Sequence, residues 1–349
     1  MFRMAEIRAD LNASEIIASL PSPSSGTLEI GPLDIHAYGL MIALGVVAGV
    51  WLMGRRFEQK GIGTRDDANG MAVWAVLAGV IGSRLYHVAT DWSKFENNLS
   101  DIPKIWQGGL GIPGGLALGI PVGLYYLKRK GIPVGLAANC GAPGIALAQA
   151  IGRWGNYWNQ ELFGRPTSLP WGLEIDDAHR TGPAAEYIGQ DNVVFHPTFL
   201  YESLSNLALA GILLLLDRRF RVRPGHLMAM YLMGYGVIRF FVEGLRIDAA
   251  TEVGGLRWNQ WVALAGVLGG GAYLLISNRY GDPLDDQAAD AGIEVDDEVD
   301  KVDKAEFDDE VDKVDKAEIL KPVDEAEIEV DDVDDEPAEH EPVDKPSGS

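Results

Sequence analysis

The chain has 349 residues, a net charge of −22 at pH 7 and one cysteine. A single cysteine excludes an intramolecular disulfide and a cysteine cluster that holds a metal, and we expect Cys140 to be a small buried apolar residue. The negative charge is concentrated near the C-terminus, because residues 282–349 contain 29 Asp and Glu against 6 Lys and Arg. That tail carries −23, so residues 1–281 carry only +1.

The first 34 residues lack the charged, apolar and small-residue regions of a signal peptide. Within them, residues 7–20 have the pattern of a short amphipathic helix that lies on a membrane surface. A flexible leader is the alternative, and both interpretations place residues 1–34 outside the main domain.

Residues 35–281 form the main domain, which contains seven long apolar runs. Each run has close to the ~20 residues that cross a bilayer as a helix. The fold class is therefore all-α, a polytopic membrane protein with seven transmembrane helices. The runs lie at residues 38–54, 70–90, 109–127, 134–154, 197–216, 226–243 and 258–277.

The third run carries glycines at every fourth position, namely Gly115, Gly119 and Gly123. This spacing leaves one helix face without side chains, so another helix can approach closely. We expect these glycines to pack against a neighbouring helix rather than to bind a ligand.

Basic residues are unevenly distributed between the loops, which sets the orientation, because cytoplasmic loops are enriched in Lys and Arg. Seven spans then place the N-terminus outside and the C-terminus inside. Residues 155–196 become an external cap, predicted to have little regular structure. The basic loops carry Arg55, Arg56, Lys60 and Arg65, then Lys128, Arg129 and Lys130, then Arg218, Arg219, Arg221 and Arg223.

The tail repeats one sequence, DDEVDKVDKAE, at residues 296–306 and 308–318. Strong negative charge with almost no aromatic residues predicts disorder. We expect residues 282–349 to be a disordered cytoplasmic extension without a catalytic role. The alternative is that this tail is a docking site for a basic partner, whose identity is unknown.

A polar cluster ends the fourth apolar run, in residues 152–164. Arg153, Asn156, Gln160 and Glu161 all lie within it. Ionisable groups at membrane depth are costly and usually functional. This cluster is therefore the first candidate for a site.

The sixth run ends with a second group, Tyr235, Arg239, Glu243 and Arg246. At 100° per residue these side chains share one helix face. One interpretation is a structural ion network with an Arg239–Glu243 pair. The other is an anion site, because the arginines outnumber the carboxylates on this face.

Weaker candidates stand at three other helix ends. His196 and Glu202 lie at the entry to the fifth run, where a hydrogen-bonded surface histidine is the plain alternative for His196. Tyr38 opens the first run, where it could instead be an aromatic-belt anchor. Near the outer end of the second run stand Arg84, Tyr86 and His87.

All of these candidates fall at the outer ends of helices, so Arg153 and Arg239 could converge on one anion. Arginine binds phosphate through two parallel hydrogen bonds, and a phosphate at this depth is most simply a lipid headgroup. This predicts an enzyme or a transporter of an anionic lipid in the outer leaflet. No motif for a metal, a dinucleotide or a nucleic acid is recognised.

The same residues resemble the prolipoprotein diacylglyceryl transferase family. The signature G-R-x-G-N-[FY]-x-N-x-E-x-[FY]-G matches residues 152–164. Further matches are YGLM at 38–41, HPTFLYE at 196–202 and YGxxRFxVExxR at 235–246. The resemblance covers about residues 30–280.

The resemblance implies a reaction in the bacterial cell membrane, the first step of lipoprotein maturation. The diacylglyceryl group of phosphatidylglycerol moves to the lipobox cysteine of a secreted prolipoprotein, glycerol 1-phosphate leaves and a thioether forms. Phosphatidylglycerol is a co-substrate, and no cofactor is implied. The resemblance implies functional roles for Arg153, Asn156, Arg239, Arg246, Tyr38, Glu161, Gly164, Tyr235 and Glu243. We therefore predict Arg153, Arg239, Asn156, Tyr235 and Glu243 as catalytic, and Arg153, Asn156, Arg246, Tyr38, Glu161, Gly164, His196, Glu202, Gly114 and Gly115 as substrate-binding.

One position departs from the family. Many members carry His-Gly-Gly-Leu where this chain has Pro113-Gly114-Gly115-Leu116. That histidine is a natural candidate for the base that takes the thiol proton, and proline cannot replace it. Either another residue is the base or the reaction needs no dedicated base. Glu243 is a candidate for such a base, and the alternative is that it orients Arg239 or Arg246. The alternative class, a lipid transporter, is less consistent with the sequence, because no repeat relates its two halves.

Overall fold

The computed structural model describes residues 19–23, 25–30, 33–96, 98–105 and 108–280. The predicted tail at 282–349 lies outside the described residues, as does most of the predicted amphipathic helix at 7–20. At the end of that segment, Leu20 pairs with Leu173 of the cap as an isolated parallel bridge rather than continuing a helix.

The main domain is built mostly of helices, joined by short strands. In chain order the elements are β1 (Thr27–Ile30), β2 (Leu33–His36), α1 (Ala37–Gln59), α2 (Arg65–Thr90), α3 (Ile112–Arg129), α4 (Val134–Gly152), α5 (Trp154–Trp158), β3 (Pro166–Thr167), β4 (Leu173–Glu174), β5 (Val194–Phe195), α6 (Thr198–Arg219), α7 (His226–Leu245), β6 (Glu252–Val253), β7 (Leu256–Arg257) and α8 (Trp258–Tyr280).

Six helical segments of the described chain are long and apolar enough to cross a membrane: α1, α2, α4 with α5, α6, α7 and α8. The third predicted run does form a helix, α3, but this helix is not among the six. It has only 18 residues, with Pro121 inside it and Lys128 and Arg129 in its last turn. These residues lower its apolar character, which the apolar run alone did not reveal.

The fourth predicted span does not run straight through residue 154. Helix α4 ends at Gly152, and Arg153 forms the joint with the short helix α5. This break places the arginine at a helix end, where its side chain can turn away from the lipid face and toward the bundle.

Glycines allow the helices to approach closely, as predicted for α3. A Cβ atom on Gly119 would lie 2.9 Å from the backbone oxygen of Ala75 in α2. In the pairing of α1 with α4, a Cβ atom on Gly49 would lie 2.7 Å from the backbone oxygen of Gly144. Any larger residue at these positions would push the helices apart.

The domain is mostly helical, as predicted, and small strands that the sequence analysis did not predict join the helices. β1 and β2 form a hairpin before α1, and β6 and β7 form one between α7 and α8. Within the cap, β5 lies between β3 and β4, so Phe195 pairs with both Pro166 and Leu173. The cap therefore has more regular structure than predicted. Its buried residues Phe163, Leu173, Ile175, Ala184 and Phe195 share a core with Phe199 of α6.

A buried ion cluster stands at the end of the bundle formed by the C-termini of α1 and α6. The carboxylate of Asp217 lies 2.8 Å from Arg56 and 3.1 Å from Lys60. Only 7% of the Asp217 side chain is exposed. This cluster lies at the opposite ends of α1 and α6 from Tyr38 and Glu202. It is therefore a buried ion pair away from the candidate site.

Candidate active site

Two arginines from different parts of the chain meet on one buried carboxylate. Arg153, at the joint of α4 and α5, lies 2.8 Å from Oε1 of Glu202 in the first turns of α6. Arg239 of α7 lies 3.2 Å from the same oxygen. Glu202 is 2% exposed. The structure thus brings Arg153 and Arg239 together, and Glu202 is the group that joins them. That they bind an anion stays a prediction.

The signature segment folds back onto Arg153 through a tight turn. Gln160 and Leu162 adopt φ angles of +50° and +59°, in the left-handed region that non-glycine residues rarely occupy. The turn brings Oε1 of Glu161 to 2.8 Å from the amide nitrogen of Asn156, which donates to it. Arg153 in turn donates to Oδ1 of Asn156 over 3.4 Å. Arg153, Asn156 and Glu161 therefore act as one connected group.

The amide of Gln160 secures this turn. Its nitrogen donates to the Asp176 carboxylate over 2.6 Å and to the backbone oxygen of Pro23 over 3.0 Å, while its oxygen accepts from the Asp176 backbone over 2.8 Å. These bonds tie the signature to the cap and to residues 19–23. They compensate for the unfavourable backbone angle at Gln160.

Two signature glycines are required by close packing. A Cβ atom on Gly155 would lie 2.8 Å from the ring of Tyr38, so this tyrosine sits directly on the signature segment. A Cβ atom on Gly164 would lie 2.7 Å from Cβ of His196. The Gly164 nitrogen also donates to the His196 backbone oxygen over 2.9 Å. The geometry thus gives Gly164 a packing role at the junction of the cap with α6.

Glu243 of α7 is fully buried and surrounded by donors. Its Oε2 lies 2.8 Å from Arg239 and 3.4 Å from Arg246, so the predicted Arg239–Glu243 pair is present. Its Oε1 lies 3.0 Å from Arg257 and 3.3 Å from the amide of Asn259. Three guanidinium groups and one amide thus occupy both oxygens of this carboxylate. These contacts favour an orienting role over proton acceptance.

The sequence did not single out Asp248 and Arg257, which complete this network. Asp248 forms two hydrogen bonds with Arg246, of 2.6 and 2.8 Å, and one of 2.8 Å with Arg257. Burial opposes ionisation of Asp248, but the bonds and charges of these two arginines hold its pKa below the usual value. Both residues looked like ordinary loop charges, because only the β6–β7 hairpin brings them back to α7.

The network is closer to neutral than the sequence predicted. Its ion pairs join four arginines to three carboxylates: Arg153, Arg239, Arg246 and Arg257 with Glu202, Glu243 and Asp248. Glu161, linked through Asn156, offsets the remaining positive charge. The arginines outnumber the carboxylate on the predicted face of α7, but Glu202, Asp248 and Glu161 on other segments offset this positive charge.

Tyr235 and His196 lie beside this network rather than within it. The ring of Tyr235 stacks on Tyr231, with centroids 5.9 Å apart. Nδ1 of His196 lies 3.1 Å from the Tyr201 hydroxyl, and burial, together with the charge of Arg165, lowers the pKa of His196. The plain interpretation of His196 as a hydrogen-bonded histidine therefore fits its contacts.

Gly114 and Gly115, which were predicted to bind substrate, pack closely against α2, as the glycine spacing predicted for Gly115. A Cβ atom on Gly114 would lie 2.2 Å from the Gly82 oxygen, and one on Gly115 would lie 2.5 Å from the Ser83 hydroxyl. Pro113 is exposed in the first turn of α3, where proline is well tolerated. The two glycines are thus structural in this arrangement.

The weak candidates at the end of α2 organise a loop. Arg84 donates to backbone oxygens of Asp101, Ile102 and Gly108 over 2.6 to 2.7 Å. His87 pairs with Asp91 at 3.1 Å. These contacts account for both polar side chains without a ligand. Across the described ranges, no group of three or more His, Cys, Asp or Glu side chains is placed to hold a metal ion.

These observations define a multi-pass membrane protein whose helical bundle carries a buried, arginine-rich site at one end. Comparison with known proteins then specifies the family. The model of the prolipoprotein diacylglyceryl transferase family matches residues 25–276. The chain belongs to this family, so the resemblance predicted from the motifs is confirmed.

Individual relatives agree with the family match. The chain is 44% identical over 271 residues to a phosphatidylglycerol–prolipoprotein diacylglyceryl transferase of Frankia alni, covering 77% of this chain and 70% of the relative. It is 46% identical over 264 residues to the second such enzyme of Streptomyces coelicolor, covering 75% and 81%. A similar enzyme of Mycobacteroides abscessus is 43% identical over 274 residues, covering 75% and 80%.

Proposed function

We propose that this protein transfers the diacylglyceryl group of phosphatidylglycerol to the lipobox cysteine of a prolipoprotein. The thiol loses its proton, and its sulfur forms a bond to the glyceryl carbon. The carbon–oxygen bond to phosphate breaks, and its electron pair leaves with glycerol 1-phosphate. The names of the relatives support this activity.

The proposed position of the phosphate site rests on one observation. Arg153 and Arg239 approach the same oxygen of Glu202, at 2.8 and 3.2 Å. A carboxylate oxygen between two guanidinium groups marks a position that suits a phosphate oxygen, because both anions accept paired hydrogen bonds from arginine. We propose that the lipid phosphate binds these two arginines from their open side while Glu202 holds them together.

The arginines would act mainly on the leaving group. Breaking the carbon–oxygen bond turns a phosphodiester into a monoester with an additional negative charge. Two preorganised guanidinium groups bind that growing charge more strongly than the ground state, which lowers the barrier. Removal of one such donor costs on the order of 3 kcal/mol, or ~100-fold in rate.

The proposed mechanism needs no dedicated base in the protein. A free thiol with a pKa of ~8.5 is already partly ionised at neutral pH, and nearby positive charge increases that fraction. Glu243 is engaged by Arg239, Arg246 and Arg257, so we assign it an orienting role. Pro113, in the position of the family histidine, is consistent with this view.

Asn156, Tyr38 and Glu161 are proposed to line the headgroup side of the site. Asn156 connects Arg153 to Glu161 through its amide, which leaves it well placed to orient a phosphate or hydroxyl oxygen. Tyr38 packs on Gly155 at the edge of this group. We keep Arg246 as a supporting residue, since both sides of its guanidinium already engage carboxylates.

For the topology we propose that α3 also crosses the membrane, in addition to the six segments named above. The protein then has seven spans, an external N-terminus and a cytoplasmic C-terminus. Arg56 and Lys60 of α1, and Arg218 and Arg219 of α6, lie at the ends of these helices opposite to the arginine site. The positive-inside rule then puts the site and the cap at the outer leaflet of the bacterial membrane. That side is where secreted prolipoproteins would meet the lipid.

The direct test uses purified protein in detergent with phosphatidylglycerol and a cysteine-containing lipobox peptide. We expect thioether formation and release of glycerol phosphate in equal amounts. Arg153→Ala should lower turnover about 100-fold, whereas Arg56→Ala, at the opposite end, should retain turnover per folded molecule. Movement of lipid without release of glycerol phosphate would instead indicate a transporter.

A further inference from the structure

The β6–β7 hairpin returns a buried arginine to the site, although no residue of this hairpin belongs to the signature motifs. Arg257 is 8% exposed, and it contacts both Glu243 and Asp248. We infer that Arg257, held by Asp248, is a positioning residue that fixes Glu243 and, through it, the proposed phosphate-binding Arg239. This inference rests on the proposed function of Arg239.

The two oxygens of Glu243 serve opposite sides of the network. Oε2 faces Arg239 at 2.8 Å, and Oε1 faces Arg257 at 3.0 Å. The Nε–H bond of Arg257 does not point toward Oε1 of Glu243 in a direction that allows a hydrogen bond, so this contact is a buried ion pair. An attraction on Oε1 sets the rotation of the carboxylate, and this rotation turns Oε2 toward Arg239.

Arg257 is itself fixed by the hairpin. Its Nη2 donates to Asp248 over 2.8 Å, and its Nη1 donates to the backbone oxygen of Arg246 over 3.0 Å. Its backbone nitrogen donates to Oε1 of Gln260 over 3.0 Å. The guanidinium therefore has little freedom to move, which is the property that a positioning residue requires.

The chain of contacts has a definite order. It runs from Asp248 to Arg257, then to Glu243, Arg239 and finally Glu202, with charges of alternating sign. Arg246 competes for Oε2 of Glu243 at 3.4 Å. Without Arg257, the neutral amide of Asn259 is the only group among the described residues shown to hold Oε1, and Glu243 can rotate toward Arg246 and away from Arg239. The effect of Arg257 on Arg239 should therefore pass through Glu243.

This order makes a prediction that general destabilisation does not make. Arg257→Gln should lower kcat about 10-fold with little change in KM, because misplaced groups lose transition-state stabilisation first. In protein that already carries Glu243→Gln, adding Arg257→Gln should lower kcat less than about 2-fold. Glu243, which transmits the effect of Arg257 to Arg239, is already altered in that background. Turnover is measured with phosphatidylglycerol and a lipobox peptide, and scaled to folded protein.

A matched control separates positioning from stability. Arg56 is also buried and paired with a carboxylate, but it lies at the opposite end of the bundle. Arg56→Gln should lower thermal stability and leave kcat per folded molecule unchanged in both backgrounds. If Arg257→Gln is not recovered folded, Asp248→Asn replaces it, with the same expected loss and the same dependence on Glu243.

Two results would overturn the inference. One is unchanged kcat in Arg257→Gln, and the other is an equal loss in the wild-type and Glu243→Gln backgrounds. Failure of the proposed function has a different signature, because the unaltered protein would then release no glycerol phosphate. A wild-type protein that is active, with a coupling between residues 257 and 243, supports the positioning role.

Discussion

Replacing Glu202 with glutamine removes the charge that holds Arg153 and Arg239 together while nearly preserving the side-chain shape. Each ion pair with charges ~4 Å apart is worth about 4 kcal/mol at an effective dielectric constant of 20. Desolvation of the carboxylate offsets much of this gain, and breaking a buried pair typically costs 3–5 kcal/mol. Because the side chains of Arg153 and Arg239 are partly accessible to water, we expect Glu202→Gln to lower the free energy of unfolding by about 3 kcal/mol.

The structure contains a matched control for this change. Asp217 is a buried carboxylate shared by Arg56 and Lys60, at 2.8 and 3.1 Å. Its environment resembles that of Glu202, which Arg153 and Arg239 share at 2.8 and 3.2 Å. Asp217→Asn should therefore lose a similar free energy of unfolding, although it lies at the opposite end of the bundle.

The assay measures denaturant unfolding in detergent and turnover per folded molecule. Only Glu202→Gln should lose turnover, by about 100-fold, because only its arginines stabilise the leaving group. Glycerol 1-phosphate should rescue the stability of Asp217→Asn by about 2.7 kcal/mol at 100 times the dissociation constant, because the arginine site is intact in that variant, and it should rescue the stability of Glu202→Gln by less. Equal turnover in the two variants, or equal rescue by the phosphate, would refute the reasoning.

Three further predictions follow from individual contacts. Gly155→Ala should lower the free energy of unfolding by about 1–3 kcal/mol, because the added Cβ would lie 2.8 Å from the Tyr38 ring. Gly152→Ala is the control, because a Cβ there would have nothing within 4 Å and should not lower stability. Equal melting temperatures of the two variants would contradict this prediction. Gln160→Gly should keep more activity than Gln160→Ala, since only glycine adopts φ of +50° without strain; the reverse order in turnover would show that the turn is not limiting. His196 should titrate below the ordinary histidine pKa of ~6.5, because burial and Arg165 disfavour its charged form. The unfolded chain then binds the proton more readily, so the contribution of His196 to stability is complete above pH ~6.5 and declines as pH falls. A ring titration above that value in a nuclear magnetic resonance experiment would contradict the last prediction.

Much of the site was visible in the sequence because its chemistry is local. The crowding of Arg153, Asn156 and Glu161 follows from one short segment, and the shared face of Arg239 and Glu243 follows from helical spacing. Apolar runs also located the helices well, since length and hydropathy decide which segments can cross a membrane. These signals depend on neighbours in the sequence, which a single chain supplies.

The remaining features depend on contacts between distant segments. The hairpin that returns Arg257 to Glu243 cannot be inferred from spacing, and the same is true of the shared use of Glu202. The left-handed turn at Gln160 is stabilised by Asp176 and Pro23, which lie far away in the sequence. The close packing of Gly114 against α2 could not be predicted for a related reason, because a glycine that packs and a glycine that binds a ligand have the same local pattern.

The central claim is that Arg153 and Arg239 together hold the lipid phosphate. A structure determined with bound phosphatidylglycerol tests it most directly. The account predicts phosphate oxygens within about 2.7–3.0 Å of both guanidinium groups, with Glu202 still beside them. A phosphate bound to Arg246 and Arg257, or one that contacts neither Arg153 nor Arg239, would contradict it.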